Sequence, residues 1–390
     1  MQHGGDVYTD GILKGRELID FSSNINPLGV PESFVKHIGE GIQALNRYPD
    51  AKYRQLKGFL IEYINNSSQL FCFNMNENKS GVNKENKNII EENDLVLGNG
   101  AAEIIDLVIS CFNSILIMTP SFGEYQEDAE KWGLNITHLP MNENMEYDYK
   151  AIKGNIDNVD ALIIGNPNNP NGGIIDKDKF LPILRYCEEK GKTIIIDEAF
   201  IEFTGNIENS FVEELKDFKC IFIIRALTKF YAMPAVRLGF GISKNEEILN
   251  RIRKKQNPWN INCFAELAAK YVLKDKEYIC KSIKWINEER NYLPKELSNI
   301  SYIEKVYQTY SNFVLCKLRG IDCNKLYDLC LKEGIVIRKC DNYIGINKSF
   351  VRFAIKDRKR NELLFFYSWG LLRYGIKSVE IIQIISKFFI

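Results

Sequence analysis

Lys229 and Arg237 stand eight residues apart in "TKFYAMPAVRLGF" (228–240), a stretch otherwise dominated by apolar and aromatic residues. A lysine in apolar surroundings loses part of its charge preference and becomes a free amine able to attack an aldehyde. An arginine, with a threonine hydroxyl at Thr228, suits a phosphate. The pair therefore reads as two cations bracketing something anionic and reactive, although a surface lysine with a buried stem would have the same local spelling. Upstream, "TIIIDEAF" (193–200) ends an apolar run in Asp197, where a carboxylate could hold a protonated ring nitrogen or simply cap the next element. "GNGAAEII" (98–105) is a strand, a glycine turn and a helix start. Its first-turn amides suit a phosphate dianion, as they would in any strand-to-helix turn of this kind.

These motifs need a frame that brings them to one edge. Short apolar runs at 94–98, 114–118, 161–165, 193–197, 220–224 and 239–243 read as buried strands, with stretches of helical length between most of them. That alternation predicts a largely parallel sheet covered on both faces, with ligands at the carboxyl ends of its strands. From about residue 259 the pattern predicts one long helix, "FAELAAKYVLKDKEYICKSIKWINEERNYL", then strands in "SNFVLCKL" and "GIVIRKC". The expected organisation is an α/β fold with a large, mostly parallel three-layer α/β/α domain over 46–258 and a smaller α+β domain over 259–390, joined by residues 1–45. Residues 65–93, rich in Asn, Lys and Glu, read as a solvated insertion. The last 25 or so residues are apolar enough for one or two helices that pack on something.

Composition narrows the class. The 390 residues carry 51 basic and 51 acidic side chains and are 45% hydrophobic, which gives no reason to expect nucleic acid or an acidic membrane as partner. Ten cysteines without a C-x-x-C, and three histidines, argue for reduced thiols and against a metal site. No run has the length of a signal-peptide core or a membrane span, so a cytoplasmic protein is expected.

The ordered set "RYPD", "GNGAAE", "TPSFGEY", "NPNNPNG", "DEAF" and "TKFYAMPAVRLGF" resembles the fold type I pyridoxal-phosphate enzymes, in the branch holding histidinol-phosphate aminotransferases and threonine-phosphate decarboxylases. The resemblance runs from "DFSSNINPLG" (20–29) to "VRFAIKDRKRNELL" (351–364). It implies pyridoxal 5'-phosphate as cofactor, with Lys229 as the imine-forming lysine and Asp197 on the ring nitrogen. Asn169 would bond the ring O3′ and Tyr125 would stack on the ring. The phosphate would be held by the backbone of Ala101 and Ala102, by Thr228 and by Arg237. Tyr48 would reach it from a neighbouring subunit, making a homodimer the active unit. Arg352 would take the substrate α-carboxylate.

Two positions depart from the aminotransferase pattern. Ala226 stands where many relatives have Ser or Thr, and Phe200 stands where aminotransferases usually place a tyrosine hydroxyl on O3′. "HGG" (3–5), "DEAF" and "IRKCDNYIGINKSFVRFAI" (337–355) resemble threonine-phosphate decarboxylases of cobalamin assembly, which implies a phosphorylated amino acid as substrate and His3 and Arg338 on its phosphate. The alternatives are histidinol-phosphate aminotransferase and, more remotely, a non-catalytic pyridoxal-binding regulator. The regulator would be expected to carry a basic helical module ahead of the first motifs.

Overall fold

The computed structural model describes residues 4–71 and 89–373, with thirteen strands among them. In chain order these are β1 (Ile19–Asp20), β2 (Leu95–Gly98), β3 (Ser114–Thr119), β4 (Asn135–Pro140), β5 (Ala161–Gly165), β6 (Thr193–Asp197) and β7 (Ile221–Ala226). There follow β8 (Gly239–Ser243), β9 (Ile303–Val306), β10 (Phe313–Leu318), β11 (Ile335–Val336), β12 (Arg338–Lys339) and β13 (Phe350–Ala354). Seven of them form one sheet in the order β2-β8-β7-β6-β5-β3-β4, parallel except for β8, which runs antiparallel to both neighbours.

The apolar runs explain the layers. Successive side chains of a strand point to opposite faces, and here both faces are dry. Ile194 and Ile196 of β6, with Ile221 and Ile223 of β7, enter one core. Ile195, Phe222 and Ile224 enter another on the far side. Helices such as Ala101–Ile109 and Lys177–Lys190 complete a three-layer α/β/α domain. β4 escaped the sequence reading because, unlike β2 at the other edge of the sheet, it is left partly open to solvent. Its residues are exposed or partly buried, none fully, and it ends at Pro140, so no continuous apolar run marks it.

The smaller domain carries an antiparallel sheet, β12-β13-β10-β9. The single long helix expected there is two, Cys263–Val272 and Lys276–Ser298. The break falls at Asp275, whose carboxylate accepts the Tyr278 amide at 3.0 Å and caps the second helix, an option that competes with continuing the first. β1 pairs in parallel with β11, and Ala354 donates to the Phe21 carbonyl, so the amino-terminal segment is laced into the smaller domain.

The segment expected to be a solvated insertion is packed at both ends. Leu70, Phe71, Ile89 and Ile90 are buried, and the Asn65 amide bonds the backbone of Ile89 and Ile90. Residues 72–88 lie outside the described residues. Of the apolar tail, the helix Arg358–Arg373 is described, with Leu364 and Phe365 buried, and 374–390 lie outside.

Candidate active site

The carboxyl ends of β3, β5, β6 and β7 open on a cavity of about 490 Å³. Lys229, Asp197, Tyr125, Asn169, Thr228, Ala101, Ala102, Arg237, Arg338 and Arg352 all line it, so ten of the twelve residues expected to bind cofactor or substrate meet in one place. Four cations (Lys229, Arg237, Arg338, Arg352) face two carboxylates (Glu124, Asp197) across it. That excess suits an anionic occupant.

At one end the helix Ala101–Ile109 begins directly after β2 and the Gly98–Gly100 turn, leaving its first amides without helical carbonyl partners. Gly100 has φ 84°, and a Cβ there would lie 2.3 Å from Arg237 Nη2, so only glycine lets the guanidinium lie against the turn. Arg237 donates to the carbonyls of Pro234 and Asn99, both at 3.3 Å, and to no carboxylate among the described residues. Helix amides, the Thr228 hydroxyl and an arginine form a cradle fitted to a phosphate.

Lys229 follows β7 in a loop pinned from outside the sheet. Its carbonyl accepts the Asn26 amide at 3.1 Å, and the next carbonyl, Phe230 O, accepts Asn26 Nδ2 at 2.8 Å and the Tyr278 hydroxyl at 3.2 Å. Asn26 Nδ2 also donates to the Ser282 hydroxyl at 2.8 Å. Burial, with Arg352 and Arg237 nearby, brings the Lys229 ammonium down to about 8, while Asp20 works in the opposite direction.

Asp197 closes β6. Its Oδ1 accepts the Ala199 amide at 2.9 Å and its Oδ2 the Tyr125 hydroxyl at 2.6 Å. Burial pushes this carboxyl up, only partly offset by those two donors. Among the described residues it has no cationic partner. Behind it, Glu198 and Glu202 share the buried Arg225, through Nε at 2.8 Å and Nη1 at 3.1 Å, and Ser210 and Tyr63 complete the network. Phe200 lies on the cavity wall, edge-on to Phe313 at 5.1 Å, and offers no hydroxyl.

The opposite wall belongs to the smaller domain. Arg338 of β12 and Arg352 of β13 are direct cross-strand partners, both buried. Like charges placed so are unfavourable unless something anionic joins them. Arg352 donates to the Ser22 carbonyl at 2.7 Å, to the Tyr343 hydroxyl at 3.3 Å and to Asn169 Oδ1. Arg338 donates to the Lys339 carbonyl at 2.5 Å and to Asn342 Oδ1 at 2.9 Å. None of these acceptors is a carboxylate. Burial first, then Arg338, lowers the Arg352 guanidinium.

Tyr343, whose hydroxyl also donates to Asn169 at 3.1 Å, was not singled out in the sequence, nor were Ser22, Asn24 and Asn26. All fall within quoted motifs, but only the chain's return from distant segments gives them work. Tyr48 lies outside its own cavity, 78% exposed, with its ring 4.9 Å from that of Trp259. His3 lies outside the described residues. Among the described residues no helix is long and apolar enough to cross a membrane, and no cluster of three or more metal-ligating side chains occurs.

A lysine amine, a buried carboxylate and a phosphate cradle at the carboxyl edge of such a sheet define the fold type I pyridoxal-phosphate class. The family model for aminotransferase class I and II matches residues 16–364, and the chain belongs to that family; its cofactor is pyridoxal 5'-phosphate. It is 35% identical over 380 residues to a putative threonine-phosphate decarboxylase of Caldanaerobacter subterraneus subsp. tengcongensis, covering 96% of this chain and 95% of that one. It is 29% identical to the threonine-phosphate decarboxylase of Salmonella typhimurium, over 93% and 94% of the two chains. The crystal structure of the histidinol-phosphate aminotransferase from Clostridium acetobutylicum superposes with a TM-score of 0.83 at 50% identity, covering 91% and 99%.

Proposed function

We propose that the protein decarboxylates L-threonine O-3-phosphate to (R)-1-amino-2-propanol phosphate, a step of cobalamin biosynthesis. The observation that carries the reading is the buried pair Arg338 and Arg352, opposed on neighbouring strands in the cavity that Lys229 also lines, with no carboxylate partner among the described residues. Arg352 takes the α-carboxylate and Arg338 the substrate phosphate, aided by His3. Two anchors would fix the rotation about the substrate's N–Cα bond and so select the bond to the carboxylate for cleavage. Bound at Lys229, pyridoxal phosphate supplies an electron sink for the bond so aligned. Asp197 would hold the ring nitrogen in its protonated form, Tyr125 would cover the ring, and Asn169 would bond O3′. Phe200 leaves O3′ without the tyrosine hydroxyl usual in aminotransferases. Ala101, Ala102, Thr228 and Arg237 would hold the cofactor phosphate. Lys229 Nζ, on the cavity wall, would be the group that supplies a proton at Cα.

The names and coverage of the two decarboxylase relatives support this reading. A second reading, histidinol-phosphate aminotransferase, is favoured by the 50% identity to the Clostridium acetobutylicum protein. The active unit is proposed to be a homodimer. Val35, Ile38, Ile42, Leu45 and Tyr48 expose an apolar stripe beside Trp259, a surface suited to burial against a second copy. Tyr48 on that face would then reach the partner's cofactor phosphate. The test is to supply L-threonine phosphate without any keto acid and measure carbon dioxide and the amino-alcohol phosphate. Absence of both products, with the cofactor bound, overturns the reading.

A further inference from the structure

Asp20, at the end of β1, organises the bend that follows it. Its Oδ1 accepts Ser22 N at 2.7 Å, the Ser22 hydroxyl at 2.6 Å and Ser23 N at 3.1 Å, and Oδ2 accepts the Ser23 hydroxyl. The bend so fixed turns two carbonyls toward cations: Ser22 O to Arg352 Nη2 at 2.7 Å and Ser23 O to Lys356 Nζ at 3.1 Å. With its proton committed to Asp20, the Ser22 hydroxyl is free to accept, and it takes the Gly5 amide at 2.7 Å. The chain from Gly4 to Gly11 then folds back on itself, Val7 N to Gly5 O and Ile12 N to Val7 O. Gly4 lies so close that a Cβ there would sit 2.1 Å from Ser22 O, the oxygen that Arg352 uses. Gly4, Ser22 and Arg352 all line the cavity.

We propose that Ser22 is a positioning residue that seats the amino-terminal arm, residues 4–11, against Arg352, so that the grip on the substrate carboxylate depends on the docked arm. The arm covers the Ser22 carbonyl and keeps water from the carbonyl–guanidinium bond, which is stronger and better aligned in a dry site. With the arm away, water competes for Ser22 O, and among the described residues Asn169 and Tyr343 keep the guanidinium's other hydrogen bonds over the Phe313 ring. Asp20 adds to this as a carboxylate whose charge favours the protonated forms of Lys229, Arg352 and Lys356 together. The inference rests on Arg352 as the carboxylate-binding residue.

The test uses the cofactor-loaded full chain and two variants. Ser22→Ala removes the acceptor of the Gly5 amide, and Gly4→Ala pushes the arm off Ser22 O without touching Asp20. Amide exchange over residues 5–12, measured without substrate, rises about tenfold or more in both, the loss of roughly one hydrogen bond. KM for L-threonine phosphate rises about tenfold, kcat changes by less than about threefold, and the visible absorbance of the cofactor is unaltered. Ser22→Thr, which keeps the hydroxyl, restores exchange and KM. Unchanged arm exchange in Ser22→Ala, or a freed arm with an unchanged KM, overturns the proposal. Should L-threonine phosphate bind but release no carbon dioxide, the proposed reaction fails. Arm exchange and the binding constant, read from the cofactor's absorbance, then still decide the role of Ser22.

Discussion

The lowered Lys229 amine has a kinetic consequence that can be measured on the cofactor-free protein. Burial and the two neighbouring guanidiniums bring the group from 10.5 to about 8. At pH 7 the neutral, nucleophilic fraction is then about 10%, against about 0.03% for an ordinary lysine, a gain of roughly 300-fold. Capture of pyridoxal phosphate should therefore accelerate about tenfold per pH unit up to about pH 8 and flatten above it. The direction follows from the sign of the shift: a cation destabilised by burial sheds its proton earlier as pH rises. Arg352→Gln removes the strongest cationic neighbour, so the midpoint should move to higher pH and capture at pH 7 should slow. Rapid mixing of stripped protein with pyridoxal phosphate, followed in the visible band, reads both, with Lys229→Ala as the blank. A profile that keeps rising toward pH 10, or one that Arg352→Gln leaves in place, would refute the electrostatic account of this lysine.

Other consequences are as direct. Asp197→Asn should retain the cofactor at Lys229 but lose on the order of a hundredfold or more in kcat, since the ring nitrogen loses its charged partner; near wild-type turnover would remove Asp197 from that role. Arg225→Met leaves the buried Glu198 and Glu202 without their cation and should cost about 3–5 kcal/mol in urea unfolding. A loss below about 1 kcal/mol would mean the network contributes little. Light scattering should give about 90 kDa, twice the 45.1 kDa chain, and Tyr48→Phe should weaken cofactor retention; a fully active monomer contradicts the shared site.

Much of this was legible because four buried strands of the large sheet, β3, β5, β6 and β7, end where the chemistry begins. The run 193–197 is β6 residue for residue, and Asp197 is its last member. Local spelling failed where the deciding interaction is not local. β4 lacks a continuous apolar run because its residues stay exposed or partly buried, whereas β2 at the other edge is covered on both faces. The break before Asp275 turns on one carboxylate choosing a backbone amide over the helix. Tyr343 and Asn26 act on residues 174 positions and about 200 positions away, as the bonds from Tyr343 to Asn169 and from Asn26 to Phe230 make plain. No periodicity carries that information. Phe200 was readable only as a departure from a pattern, and the structure adds that its ring packs on Phe313, which in turn lies under the Arg352 guanidinium at 5.1 Å.

The central claim, that the paired arginines select a substrate bearing both a phosphate and a carboxylate and direct it to decarboxylation, is tested most directly by comparing two specificity constants on one preparation of loaded enzyme. One is for carbon dioxide release from L-threonine phosphate alone. The other is for glutamate formation from histidinol phosphate and 2-oxoglutarate, the reverse pairing of amine donor and keto acid being excluded by starting with no glutamate. The account predicts that the first exceeds the second by about a hundredfold or more, the scale of a lost charged anchor. A larger constant for glutamate formation would contradict it and make the protein a histidinol-phosphate aminotransferase.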